Sequence, residues 1–184
     1  MMRIMLVAAL LVQAPGANVK GSFSTKGASM SPIDTVAVWD PAKGELRVAL
    51  MPFKIQDKHH KDIRKDSTMF AGFDEKSPDP KKWADWCPAA EMKLTLDPKA
   101  LGKGPAAIQS YHLWVYGLEK KNYTHNVNES GEESRKQVSR LVLKLDAKGA
   151  GTFELTFVGK SSFDDGLTWD ITAKGAVLTP LADK

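Results

Sequence analysis

Alternation of apolar and polar residues dominates most of the chain. Residues 46–50 (LRVAL) and 153–157 (FELTF) place an apolar side chain at every second position. Successive side chains of a β-strand point to opposite faces, so this period of two is typical of strands with one buried face. The pattern recurs at residues 36–39, 92–96, 141–145 and 167–172. The chain is therefore predicted to be mainly β.

The turns between these stretches favour antiparallel hairpins. Gly, Pro and Asp separate the strands, and a hairpin must bring the apolar faces of its two strands together. This condition predicts that Phe157 and Trp169 share a face. It also predicts a three-residue loop at 164–166, which sets Phe163 opposite Leu167 and gives Gly166 a left-handed backbone.

The same condition predicts two further hairpins. Leu145 and Phe153 are expected on one face across residues 146–152, and Val38 and Leu46 on one face across residues 40–44. Three such hairpins favour a single-domain antiparallel β-sandwich or barrel with a short helical or irregular insertion.

Two stretches lack the alternation. Residues 54–90 are polar, charged and interrupted by proline, and we interpret them as an insertion with short helical pieces. Residues 118–137 have no apolar period and are predicted to form a long exposed loop. With 184 residues and 42% hydrophobic content, the chain is sized for one domain at residues 18–184.

The first 17 residues predict export. Arg3 gives a short positive start, residues 4–12 are an uninterrupted apolar run, and small residues follow around Pro15. This order is typical of a signal peptide, and the run is shorter than the roughly 20 apolar residues of a membrane span. We expect a secreted or periplasmic protein that lacks residues 1–17 and has no transmembrane span.

Charge and cysteine content limit which partners and which cross-links the protein is expected to have. The net charge is +4, with both signs mixed along the chain, and no nucleic-acid-binding motif is present, so we expect no nucleic-acid partner. Cys87 is the single cysteine, which excludes an internal disulfide. We interpret Cys87 as part of a hydrophobic plug with Trp83 and Trp86 rather than as a reactive thiol.

The histidines are the first candidates for metal-binding or catalytic residues. His59, His60 and Asp62 carry ligand groups for zinc, copper or nickel, but the interleaved lysines would repel a cation and the spacing is not that of a dedicated site. We therefore predict no metal and no other cofactor. His112 lies on a strand that is apolar on both faces, so we expect a partly buried, hydrogen-bonded histidine rather than a catalytic one.

Aromatic residues are the second group of candidates. Trp39 lies off the face of Val36 and Val38, so we expect its ring at the surface or beneath the insertion, near Trp83 and Trp86. Exposed tryptophan is a common anchor for partners and ligands. The candidate ligand- or partner-binding residues are Trp39, Trp83, Trp86 and Tyr123.

These patterns favour a non-catalytic binding or interaction module whose partner is an unknown protein or small molecule. The sequence contains neither a Gly-x-Ser-x-Gly elbow nor a phosphate-binding loop. Two alternatives stay open. One is a small metal-dependent or hydrolytic enzyme that uses His59, His60 or His112, and the other is a lipocalin-like carrier of an apolar ligand.

Overall fold

The computed structural model describes residues 18–56, 60, 63–64, 90–118, 124–163 and 166–181. Two helical elements within them are a 3-10 segment at Pro98–Ala107 and helix α1 at Gly131–Gln137. The strands of these residues are β1 (Asn18–Ser24), β2 (Ser29–Met30), β3 (Asp34–Asp40), β4 (Glu45–Met51), β5 (Ala90–Leu96), β6 (Ile108–Tyr116), β7 (Thr124–Ser130), β8 (Val138–Leu145), β9 (Gly151–Lys160) and β10 (Thr168–Leu178).

All of these strands belong to one sheet, in the order β2-β1-β10-β3-β4-β5-β6-β7, with β9 beside β10 and β8 beside β9. The protein is mainly β, as predicted. The sheet is mixed rather than wholly antiparallel, because β3 runs parallel to the end of β10 at Val36–Ala176. Since β9 occupies one edge of β10 along almost its whole length, β1 and β3 share the other edge.

The sheet curves around one main core. Strands β6 and β9 lie several positions apart in the sheet order, yet the rings of Tyr111 and Phe157 meet edge to face at a centroid distance of 5.1 Å. Phe157 also stacks on Trp169 of the neighbouring strand, again at 5.1 Å. Burial of these aromatic rings is the main gain of this packing. The architecture is therefore a sandwich or a barrel, as the alternation predicts.

A second, smaller core lies on the opposite face of β3 and β4. It contains Val36, Val38, Ala49 and Met51, and Ile63 of the insertion packs on it. Strands β3 and β4 are therefore buried on both faces.

Hydrogen bonds at two places hold the described part of the insertion over this second core. The buried carboxylate of Asp34 accepts a hydrogen bond from the Ile55 backbone N–H through Oδ2, at 2.9 Å. Arg64 Nε donates to the Thr179 carbonyl oxygen at 2.7 Å, and the Leu181 backbone N–H donates to the Arg64 carbonyl oxygen at 3.0 Å. The insertion is thus joined to the start of β3 and to the chain after β10.

The double burial of β3 makes one predicted hairpin wrong. Trp39 pairs with Leu46 and Val38 pairs with Arg47, so Val38 and Leu46 lie on opposite faces. The turn has four residues, 41–44, and the Asp40 side chain accepts hydrogen bonds from the Ala42 and Lys43 backbone N–H groups. When both faces of a strand are apolar, alternation does not tell which of them faces the main core.

The other two hairpins have the predicted faces. Ile171 pairs with Phe157 and Leu143 pairs with Phe153. The β9–β10 loop is nevertheless longer than predicted, because the Ser161 N–H already bonds the Leu167 carbonyl oxygen. Phe163 consequently lies in the loop, 63% exposed, instead of opposite Leu167.

Residues 124–137, predicted as part of a long loop, form strand β7 and helix α1. Among the β7 side chains whose burial is described, those of His125 and Val127 are buried, and those of Asn126, Asn128 and Ser130 are exposed. One apolar residue in a seven-residue strand leaves no recognisable apolar period. The strand is formed by its backbone pairing with β6.

No helix in the described part of the chain is long and apolar enough to cross a membrane. The predicted signal peptide at residues 1–17 lies outside the described residues.

Candidate binding site on the outer face of the sheet

The side of β5, β6 and β7 that points away from the main core carries a cluster of polar and aromatic side chains. Pairing between the strands sets them in rows: Trp114 lies opposite Asn126, and His112 lies between Lys93 and Asn128. We call these five residues, Lys93, His112, Trp114, Asn126 and Asn128, the outer-face site.

Burial of the other face of β6 fixes this orientation. Tyr111, Leu113 and Val115 are fully buried in the main core. Because successive side chains alternate, His112 and Trp114 must point outward, where both are half-buried. The predicted division of this strand into two faces is confirmed.

The two outward rings are stacked on each other. Their centroids lie 3.7 Å apart and their planes are inclined by 23°. His112 Nε2 is also hydrogen-bonded to Asn126 Oδ1 on the adjacent strand. An amide oxygen can only accept, so Nε2 carries the proton and Nδ1 has the lone pair of a neutral ring. The imidazole is therefore fixed in position and tautomer, as expected for a partly buried histidine.

The surroundings keep His112 neutral. Burial lowers the pKa of its imidazole below the ordinary value of 6.5, and the nearby Lys93 ammonium lowers it further, while the hydrogen bond to Asn126 raises it. At neutral pH the ring consequently offers a hydrogen-bond acceptor and no charge.

Buried charges border the site on the side of β4. Arg47 is 6% exposed and lies opposite Lys93, and Glu91 is 3% exposed and lies opposite Trp114. Lys93 itself forms an ion pair with Glu45, with Nζ and Oε1 at 3.3 Å. The outer face thus changes from buried charged groups on β4 and β5, Arg47 and Glu91, to exposed amides on β7.

Three strand ends meet beside the outer-face site. Strand β5 begins at Ala90, β6 ends at Tyr116 and β7 begins at Thr124, and all three points lie at the same end of the sheet.

Trp39 is not at the surface. Its side chain is 3% exposed and belongs to the main core, where Cδ1 lies 3.3 Å from the position that a Cβ on Gly149 would take. The expectation that Trp39 is exposed or packs beneath the insertion is wrong. Its face was misassigned because Val36 and Val38, not Trp39, lie under the insertion.

Of the remaining candidates, the structure describes His60 and His112. His60 is half-buried in the insertion, whereas His112 lies on β6. Among the described residues, no three His, Cys, Asp or Glu side chains are close enough to hold a metal ion. His59, Asp62, Trp83, Trp86, Cys87 and Tyr123 lie outside the described residues, so their proposed roles stay predictions.

Sequence reasoning missed Lys93, Asn126 and Asn128. Their signal was present as the alternation of Asn126 and Asn128 with His125 and Val127, but the register that sets them beside His112 requires the paired strands.

Comparison of the chain with protein-family models, with curated proteins and with solved structures finds no match.

Proposed function

We propose that this protein is an exported, non-catalytic binding domain that holds its ligand or partner at the outer-face site. The observation that carries the proposal is the His112–Trp114 stack, fixed by Asn126 and surrounded by exposed amides. Aromatic rings with a few well-placed polar groups are the usual composition of binding sites. Trp83, Trp86 and Tyr123 lie outside the described residues and are proposed to belong to the same binding region.

The environment of His112 favours binding over catalysis. A histidine that acts as a general base is typically oriented by a third group and hydrogen-bonded to a nucleophile. Here Nε2 is bonded to a neutral amide, and one face of the ring is covered by Trp114. Such a ring is suited to holding a ligand in a fixed geometry.

A thermal-shift screen against saccharides, peptides, nucleotides, fatty acids and divalent metal ions tests the proposal. A ligand that binds the folded state raises its stability, by about 2.7 kcal/mol at a concentration of 100 Kd. We expect at least one class to raise the Tm of the wild type but not that of an Asn126→Ala/Asn128→Ala variant. Equal shifts in both proteins, or no shift from any class, would contradict the proposed site.

The same screen examines the two alternatives. Stabilisation by zinc, copper, nickel or calcium would favour the metal-dependent enzyme, and stabilisation by fatty acids that persists in the double variant would favour the carrier.

A further inference from the structure

We propose that the outer-face site binds a neutral, polyhydroxylated ligand, namely a saccharide, between the His112–Trp114 stack and the amides of Asn126 and Asn128. This inference rests on the proposed binding function and names the ligand class of the same site.

The stacked rings supply a rigid apolar surface. The two rings are nearly parallel at 3.7 Å, and the hydrogen bond to Asn126 keeps the imidazole from rotating. Because their orientation is set before a ligand arrives, little conformational entropy is lost on binding. Stacking covers one face of each ring, so the flat apolar surface that the C–H groups form on one side of a sugar ring is proposed to pack on the other face of Trp114.

The neighbouring amides match the hydroxyl groups of a sugar. Asn126 lies opposite Trp114 and Asn128 opposite His112, and both side chains are exposed. An amide offers one acceptor oxygen and two N–H donors, and a hydroxyl group both donates and accepts. Each amide can therefore bond one or two hydroxyls, and the neutral His112 adds an acceptor at Nδ1.

The charges around the site disfavour other ligand classes. Lys93 is paired with the Glu45 carboxylate at 3.3 Å, so this ion pair presents little net charge that would attract either a cation or an anion. Burial lowers the pKa of His112, so the ring adds no positive charge at pH 7. A wholly apolar ligand would cover the amides of Asn126 and Asn128 without bonding them, which is unfavourable.

The row Ser110–Ser130 continues the outer-face site along β6 and β7, so that the whole surface is longer than one sugar ring. The rows Trp114–Asn126, His112–Asn128 and Ser110–Ser130 follow one another along β6 and β7. Four residue steps of a strand span about 14 Å. A linear oligosaccharide is consequently expected to bind more tightly than a monosaccharide.

The experiment is a titration of the ¹⁵N-labelled protein with cellotetraose, maltotetraose, xylotetraose and chitotetraose, each beside its monosaccharide. We expect at least one tetrasaccharide to shift the amide resonances of residues 110–116 and 124–130. Trp114→Ala and Asn128→Ala should each weaken its binding at least tenfold. Asn128 is exposed, so its variant tests the site without disturbing the core. The matched control, Val158→Ala, trims a side chain that is 47% exposed on β9 and should leave the affinity unchanged.

The outcomes separate the ligand class from the binding function. If no saccharide shifts these resonances but a peptide, nucleotide or fatty acid does, the ligand class is wrong and the binding function stands. If a saccharide binds the wild type and the Asn128→Ala and Trp114→Ala variants equally, the assignment to this site is wrong. If no compound shifts them, both proposals fail.

Discussion

Gly159 on β9 occupies a position where a methyl group would meet the side chains that close the main core. A Cβ there would lie 2.5 Å from Gln137 Oε1 and 2.8 Å from Trp169 Cζ2. Gln137 is the last residue of α1, and its Oε1 accepts the hydrogen bond of the buried Tyr111 hydroxyl. Any shift of Gln137 therefore also disturbs a buried hydroxyl group.

We predict that Gly159→Ala lowers the free energy of unfolding by about 1–3 kcal/mol, the usual cost of inserting a methyl group into a packed core. Urea denaturation followed by tryptophan fluorescence measures the change. Gly102→Ala is the control, because no atom lies within 4 Å of its Cβ position. Equal stability of the two variants would contradict the prediction and show that the side chains around Gln137 can shift without a measurable loss of stability.

The protonation of His112 predicts a dependence of stability on pH. Its pKa in the folded state is lowered, chiefly by burial, so the unfolded chain binds a proton more readily than the folded protein does. The stabilisation associated with the neutral ring is complete above the unfolded pKa of about 6.5 and is lost as the pH falls toward the folded value.

The Tm of the wild type is therefore expected to fall more between pH 7.5 and pH 5 than the Tm of a His112→Gln variant. An NMR titration of the His112 ring protons, with a midpoint below 6.5, would give independent support. A midpoint above 6.5 would contradict the neutral ring on which the saccharide proposal draws.

At the scale of elements, the insertion acts as a cover for the outer face of β3 and β4. Ile63 is buried against Val36 and Val38, and Arg64 binds the chain after β10 through Thr179. The strand pair owes its second buried face to this cover, because residues 36, 38, 49 and 51 would otherwise expose apolar side chains.

We predict that Arg64→Ala loosens the cover. Hydrogen bonds from a charged donor are worth about 1.5–3 kcal/mol, and Arg64 makes one to the Thr179 carbonyl oxygen at 2.7 Å. The amides of Val36 and Val38 should then exchange hydrogen faster than in the wild type, in a measurement by mass spectrometry. Lys43→Ala, at an exposed ion pair in the β3–β4 turn, is the matched control and should leave exchange unchanged. Unaltered exchange in both variants would mean that Asp34 and Ile63 hold the cover without Arg64.

At the scale of the whole molecule, the predicted export determines the compartment in which the protein would encounter its ligand. Expression of the full chain in a secretory host should yield a mature protein that lacks residues 1–17, because the apolar run is followed by small residues suited to cleavage. Intact-mass spectrometry of the secreted or periplasmic fraction measures the new N-terminus. Recovery of a cytoplasmic protein that retains residue 1 would contradict the prediction, and a variant with Leu6 and Leu10 replaced by Asp should stay inside the cell.

The sequence by itself determined the strands in which apolar and polar residues alternate. Strands β8, β9 and β10 alternate an apolar face with a polar one, and a period of two leaves no choice about which side is buried. Their core faces, with Phe157 and Ile171 on the same side, therefore follow from the order of residues, although the register between the strands does not. Alternation likewise set His112 and Trp114 on one face of β6 and Leu113 on the other, whereas the burial of Leu113 in the main core shows which of these faces is outward.

The tertiary structure decided what depends on residues distant in the chain. Trp39 and Val38 are both apolar, and their faces were assigned by the insertion that covers Val38 and by the main core that receives Trp39. Strand β7 exists because β6 offers it a hydrogen-bonding edge, although its own side chains are mostly polar. The outer-face site is a set of cross-strand rows from β5, β6 and β7. Register between strands is a property of the assembled sheet, so no single stretch of sequence contains the site.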